Sequence, residues 1–388
     1  MIFLLAVIYI VFISLGLPDS LFGVAWPVVH TEFGLPESFA SVYSIIVGAT
    51  GGGVSFLAGK LIRKFGTSYV TFFSIILTAV GLFGMSFAPN IVVMMIFAII
   101  LGYGAGAIDT GLNNYVSLHY EARHMNWLHC FWGVGVTLSP VIMSAFLEGD
   151  GSRWRNGYRV IALLQVAISL IVLLSLKKWR QEENKETGAA EEQSSENGGR
   201  MIDVLRTKGV LTSIVSLGCY CSMEFLIGTW GASFAVNAFA VTPDEAAKWV
   251  ALYYGGIMLG RMISGFISMK ASDNTLIRGG VALSFIGIVI LLLPIGKAAL
   301  TGFLLIGIGF GPVFPSVLHS VPSRFGTAYS ADITGYHMGG AYAIGFAFQL
   351  IFGFAAPKIG FGITGYVLTA FCFGVFALNE ITLKKLKK

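Results

Sequence analysis

Asp19, Asp109, Glu224 and Arg261 are the residues best placed to do chemistry, because each interrupts a long uncharged stretch. Asp19 is the only charged residue between Met1 and Thr31, Asp109 the only one between Phe65 and Leu118, and Glu224 the only one between Gly209 and Pro243. Arg261 lies inside another apolar run. Placing such a group near the centre of a membrane helix costs roughly 2.5–3.5 kcal/mol on insertion scales, so each needs a compensating environment. A carboxylate there faces a wet cavity, pairs with a cation or takes up a proton, and each outcome is one that a coupled transporter uses.

The neighbours of these residues extend the set. Gly16-Leu17-Pro18-Asp19 breaks a helix and frees backbone carbonyls beside the carboxylate. Asp109 and Asn113 are four apart and share a helix face, with Asn114 and Thr110 alongside, a combination that suits a polyhydroxylated ligand. His129 and Trp132, three apart, share another face, and Trp230 follows Glu224 by six residues, only partly on the same side. Asp19, Asp109 and Glu224 are the candidates for proton coupling. Asn113, Asn114, His129, Trp132, Trp230 and His337 are the candidates for solute contact. Plainer roles stand beside these. A buried carboxylate can simply bond a neighbouring helix, His129 and His337 are as well suited to interhelical hydrogen bonds, and Arg261 can pair with a carboxylate or snorkel to the interface.

The elements that must position these groups follow from composition. Apolar residues make up 55% of the 388-residue chain and charged ones 12%, with a mean hydropathy of +0.78. A soluble protein of this balance would expose more apolar surface than water tolerates, so lipid is the expected solvent. Apolar runs predict twelve spans: 3–29, 39–62, 68–88, 91–118, 127–147 and 158–177, then 210–236, 248–269, 276–294, 298–318, 330–355 and 361–382. The first is read as a retained span rather than a cleaved leader, since no basic stretch precedes it. Trp154-Arg155 falls in an expected outer loop. The expected division is a six-helix bundle over 1–177, a polar linker over 178–208 too poor in apolar residues to order itself, and a second bundle over 209–388. Lys and Arg favour the side carrying both termini by about threefold, which places the termini in the cytoplasm of a plasma-membrane protein.

The halves repeat at an offset of about 205 to 208 residues. Gly102-Tyr103-Gly104-Ala105-Gly106 is echoed by Gly307-Ile308-Gly309-Phe310-Gly311, and Leu128-His129 by Tyr336-His337. In such an architecture a solute site is expected midway between the halves. Any single glycine is explained by close helix packing, and the information lies in the pairing. Other chemistries find little support. Cys130, Cys219, Cys221 and Cys372 sit in apolar runs and suggest packing rather than disulfides or a metal site. No basic run with interleaved aromatics points to nucleic acid. The glycines before Asp109 lie within an apolar span rather than between strand and helix, no Ser-His-Asp order stands out, and neither an enzyme nor a bound cofactor is expected.

The two six-helix halves with their linker resemble the major facilitator superfamily over essentially the whole chain. Several stretches resemble its fucose–galactose–glucose:proton symporter branch. They are Gly102 through Thr110 with Asn113, Asn126-Trp127-Leu128-His129 leading to Pro140, Met223-Glu224 with Trp230, and Gly256-Ile257-Met258-Leu259-Gly260-Arg261 with Gly265. Asp109-Thr110 with Asn113 is also similar to the sodium-dependent glucose transporter relatives. The resemblance implies an all-α fold of twelve transmembrane helices, a monomer, and alternating access, with carboxylates at the Asp19 and Asp109 positions handling protons and sugar. The superfamily's loop signature keeps Gly59 and Gly66, but Arg63 stands where an aspartate is usual, which alters the expected inner latch. The leading expectation is symport of a monosaccharide or similar polar solute with protons, sodium being a second candidate ion. The alternative is proton-coupled export of drugs or amphiphiles, which the many Phe and Met residues would suit.

Overall fold

The computed structural model describes residues 2–119, 122–149, 151–187, 206–293, 298–326 and 330–387. Of the positions singled out above, Gly59, Arg63, Asn113 and Asn114 lie in helices but outside the described side chains. The described residues form helices and no strand: α1 (Ile2–Gly16), α2 (Leu21–Glu32), α3 (Phe39–Phe65), α4 (Thr67–Ser86), α5 (Ile91–His119), α6 (Ala122–Leu147), α7 (Trp154–Thr187), α8 (Val210–Phe239), α9 (Pro243–Ile267), α10 (Asp273–Leu292), α11 (Ala298–Phe310), α12 (Val313–His319), α13 (Val321–Phe325), α14 (Ser330–Ile359), a short 3-10 turn (Phe361–Ile363) and α15 (Thr364–Leu386). Among the described residues eleven segments are long and apolar enough to cross a bilayer, α1 with α2 and α11 with α12 each counting together, and Phe39–Val54 of α3 is a shorter apolar one. The fold is thus an all-α membrane architecture. Two compact units divide it, one of residues 1–196 with 243–248 and the other of 197–242 with 249–388.

Two spans are interrupted at prolines, the first where Gly16-Leu17-Pro18-Asp19 predicts a break and the tenth against expectation. The first breaks over Leu17–Ser20, where Pro18 cannot donate to Ser14 and its ring crowds that carbonyl. The tenth breaks at Gly311-Pro312, between α11 and α12, although sequence analysis had it continuous. The sixth differs in the other direction. α7 runs to Thr187, ten residues into the segment expected to be an unstructured linker. Extending an existing helix needs no new nucleus, and the Lys, Gln and Glu residues there are good helix formers. The rest of that linker, up to residue 205, is outside the described residues. Trp154-Arg155 is likewise not a loop. Trp154 opens α7 and is fully buried, donating its indole N–H to Glu32 Oε2 at 2.6 Å, and Arg155 pairs with Glu32 Oε1 at 2.5 Å.

In the first unit α1 packs on α6, α5 lies against both α3 and α4, and α4 meets α7. The core runs from Leu4, Ile8 and Phe12 of α1 to Ile108, Leu112 and Tyr115 of α5, Leu128 of α6 and Trp179 of α7. In the second unit α8 packs on α14 and α15, and α10 on α11. The repeated glycines of the sequence prove to be one helix crossing made twice. A Cβ on Gly106 would collide with the Gly51 carbonyl, joining α5 to α3, and a Cβ on Gly311 would run into Gly260, joining the end of α11 to α9. Backbones approach this closely only where small residues leave room.

Candidate functional site

The break between α1 and α2 is built against α6 by reciprocal glycines. A Cβ on Gly16 would strike the Trp132 carbonyl and Val136 N, and one on Gly135 would strike the Ile13 carbonyl. Ser20 Oγ donates to the Val136 carbonyl at 2.9 Å, pinning the far side of the break to the same helix. The Ser14 carbonyl, which loses its helical donor to Pro18, accepts instead from Gln165 Nε2 of α7 at 2.7 Å. Ser14 Oγ returns a hydrogen bond to Gln165 Oε1. A buried side chain thus satisfies the carbonyl that the proline orphans.

Asp19 projects from this pinned turn. Trp132 Nε1 of α6 donates to Asp19 Oδ2 at 2.7 Å, a short bond of the charge-assisted kind. The carboxylate is exposed and the indole half-buried. Tyr43 of α3 lies within Coulomb reach of Asp19 and stacks on Phe22 of α2, ring centroids 3.6 Å apart. One turn before Trp132, His129 is half-buried and meets Phe12 edge-on at 5.9 Å. His129 and Trp132 do share a face, as their spacing predicts. The result is an exposed carboxylate, fixed by an indole donor and flanked by aromatic surface.

Asp109 is half-buried on α5, between the core residues Ile108 and Leu112. Its neighbours of the expected amide face, Asn113 and Asn114, lie outside the described side chains. Gly66 takes φ +82° where α3 ends and α4 begins, and its N–H closes on the Ile62 carbonyl at 2.8 Å. That conformation is open to glycine at little cost, so Gly66 is a structural hinge point of the loop signature.

The second unit holds a different arrangement. Glu224 of α8 and Arg261 of α9 are both buried, with Arg261 Nη2 3.9 Å from Glu224 Oε1. Of the two roles open to Arg261, pairing is the one found, and it does not snorkel. Tyr220, one turn before Glu224, and Tyr253 of α9 are fully buried around Phe310, at 5.5 and 6.2 Å. Trp230 and His337 are both held in the packing of the second unit. Trp230 is fully buried against Phe352 and Phe361. His337 is fully buried, with Nδ1 at the Ile333 carbonyl and Nε2 at Ser213 Oγ, both 2.8 Å. Nδ1 is thus engaged within α14 and Nε2 ties α14 to α8, and neither residue offers a surface to a solute in this conformation.

Sequence reasoning missed Gln165 and Tyr43. Gln165 had a signal, being the one amide in the apolar run of α7. Tyr43 had none, since a lone tyrosine near a span end reads as an interfacial anchor.

A bundle of apolar helices carrying an exposed carboxylate at a helix break fits a membrane carrier. The comparisons give the family. The Major Facilitator Superfamily model matches residues 8–350, and the chain belongs to that superfamily of transporters. Among characterised relatives, the Glucose/mannose transporter GlcP of Bacillus subtilis is 25% identical over 260 residues, 63% of this chain and 61% of its own. YwtG of the same organism, which is assigned to metabolite transport only provisionally by its name, is 28% identical over 166 residues, 42% of this chain. The alignments thus span 36% of the length of YwtG and less than two thirds of GlcP. The crystal structure of a D-xylose-proton symporter superposes with a TM-score of 0.74 over 98% of this chain and 97% of its own, at 13% identity. That degree of likeness establishes the fold and leaves the cargo to be argued from the site.

Proposed function

We propose that this protein is a secondary active transporter that carries a monosaccharide, or a similar small polar solute, together with protons by alternating access. The observation that carries the reading is the Asp19–Trp132 pair: an ionisable group at a helix break inside an apolar span, held in place by an indole yet exposed. Protonation would neutralise that charge and lower the cost of enclosing it, which ties closure of the loaded carrier to proton uptake. Asp109 serves as the second proton-handling carboxylate on α5. Asn113, Asn114 and His129 supply polar contacts to the solute, and the aromatic faces near Asp19 and His129 suit the apolar face of a sugar ring. GlcP, a transporter of glucose and mannose by its name, supports the sugar assignment. The carrier works as a monomer in the plasma membrane, with both termini cytoplasmic.

Uptake of labelled monosaccharides into proteoliposomes tests this. An inward proton gradient should accelerate uptake of at least one sugar, and Asp109→Asn should reduce that acceleration to background. Absence of uptake across a monosaccharide panel, with extrusion of hydrophobic cations instead, would replace the reading with drug export. A sodium gradient acting in place of the proton gradient would reassign the coupling ion.

A further inference from the structure

We propose that Trp132 is a positioning residue for proton coupling: its indole N–H holds the Asp19 carboxylate at the helix break and sets the pH at which that carboxylate exchanges its proton. The inference deepens the proposed transport reading and rests on it.

Three independent features place the indole where it is. The Gly16–Gly135 crossing brings the α6 backbone at Trp132 directly against the last turn of α1, so no side chain separates them. Ser20 ties the start of α2 to the Val136 carbonyl, one turn beyond Trp132. Gln165 takes up the carbonyl orphaned by Pro18, so the break keeps its shape without help from Asp19. The side chains of Asp19 and Trp132 thus meet at 2.7 Å across a turn that these other bonds also hold. An indole N–H donates and cannot accept, so it favours a carboxylate oxygen that carries charge over a protonated oxygen that must itself donate. The bond is strongest when Asp19 is ionised and weakens when the proton arrives. Trp132 is thus a partner that releases the carboxylate on protonation.

Among the described residues, Tyr43 on α3 lies within Coulomb reach of Asp19, Tyr158 on α7 lies within reach of Tyr43, and His129 on α6 stands one turn from Trp132. The packed elements also carry Tyr9 on α1, His30 and Glu32 on α2, Lys64 on α3, Asp109 and Tyr115 on α5, His124 on α6, and Arg155, Arg159, Lys177, Lys178 and Arg180 on α7, while Gln165 on α7 is uncharged. Tyr43 and Tyr158 are buried phenols, and Asp109 and His129 are half-buried.

The test is the pH dependence of initial sugar uptake by the wild type, Trp132→Phe and Trp132→Tyr in proteoliposomes. Phe keeps an aromatic ring and removes the donor, and Tyr restores a donor. The midpoint of the pH profile should move toward alkaline pH by about one unit in Trp132→Phe and return part of the way in Trp132→Tyr. A lowered rate with an unmoved midpoint would overturn the proposal and leave Trp132 a packing or solute-contact residue. Should Trp132→Phe give no measurable rate, tryptophan fluorescence decides the matter without altering the indole. The wild type should show a pH-dependent change that Asp19→Asn abolishes, and identical titrations of the two proteins would overturn the proposal. Failure of the wild type to take up any sugar under a proton gradient would instead remove the transport reading, and this outcome is distinct from the others.

Discussion

At the scale of single residues, the four charged side chains found by their isolation in apolar sequence meet two different fates. Asp19 is exposed at a turn and accepts from an indole, whereas Glu224 is buried and faced by Arg261 at 3.9 Å. Removing one member of a buried pair strands the other, at a cost of about 3 kcal/mol, whereas replacing both can be nearly neutral. Glu224→Gln should therefore lower the thermal midpoint of the purified protein, and Glu224→Gln combined with Arg261→Met should recover most of it. An unchanged midpoint in the single variant would show that the pair is not a structural tie. The positions of these residues were legible in the sequence because charge in an apolar run is rare. Their partners were not. Nothing in the spacing of Asp19 and Trp132, 113 residues apart, announces a hydrogen bond, and nothing around His337 foretold that Ser213 and the Ile333 carbonyl would occupy its ring.

At the scale of elements, helix boundaries followed from apolar length and proline chemistry, and glycine spacing located the tight crossings. Gly106 and Gly311 hold equivalent places in the two halves, and each lies where a side chain would strike the backbone of a neighbouring helix. Gly106→Val should destabilise the protein by about 1–3 kcal/mol through overpacking, and Gly311→Val by a similar amount. Gly53 lies on the same α3 but faces open space, so Gly53→Ala should be neutral or stabilise by up to about 1 kcal/mol through helix propensity. Thermal unfolding in detergent checks all three, and equal effects at Gly53 and Gly106 would contradict the close-crossing account. The extent of α7 was misjudged because a polar, charged segment reads as linker by composition, and composition does not register a helix already nucleated upstream.

At the scale of the whole molecule, the fold class was legible from hydropathy and the internal repeat, since lipid leaves few ways to satisfy a backbone. The cargo is less accessible to that reasoning, because the same helices serve many solutes and only a handful of side chains select among them. The account stands on the movement of protons and sugar together. The most direct measurement loads proteoliposomes with a pH-sensitive dye, imposes no gradient, and adds an excess of monosaccharide outside. The account predicts acidification of the lumen as sugar enters, lost in Asp109→Asn. Sugar entry with no change in internal pH, at a rate indifferent to a proton gradient, would contradict it.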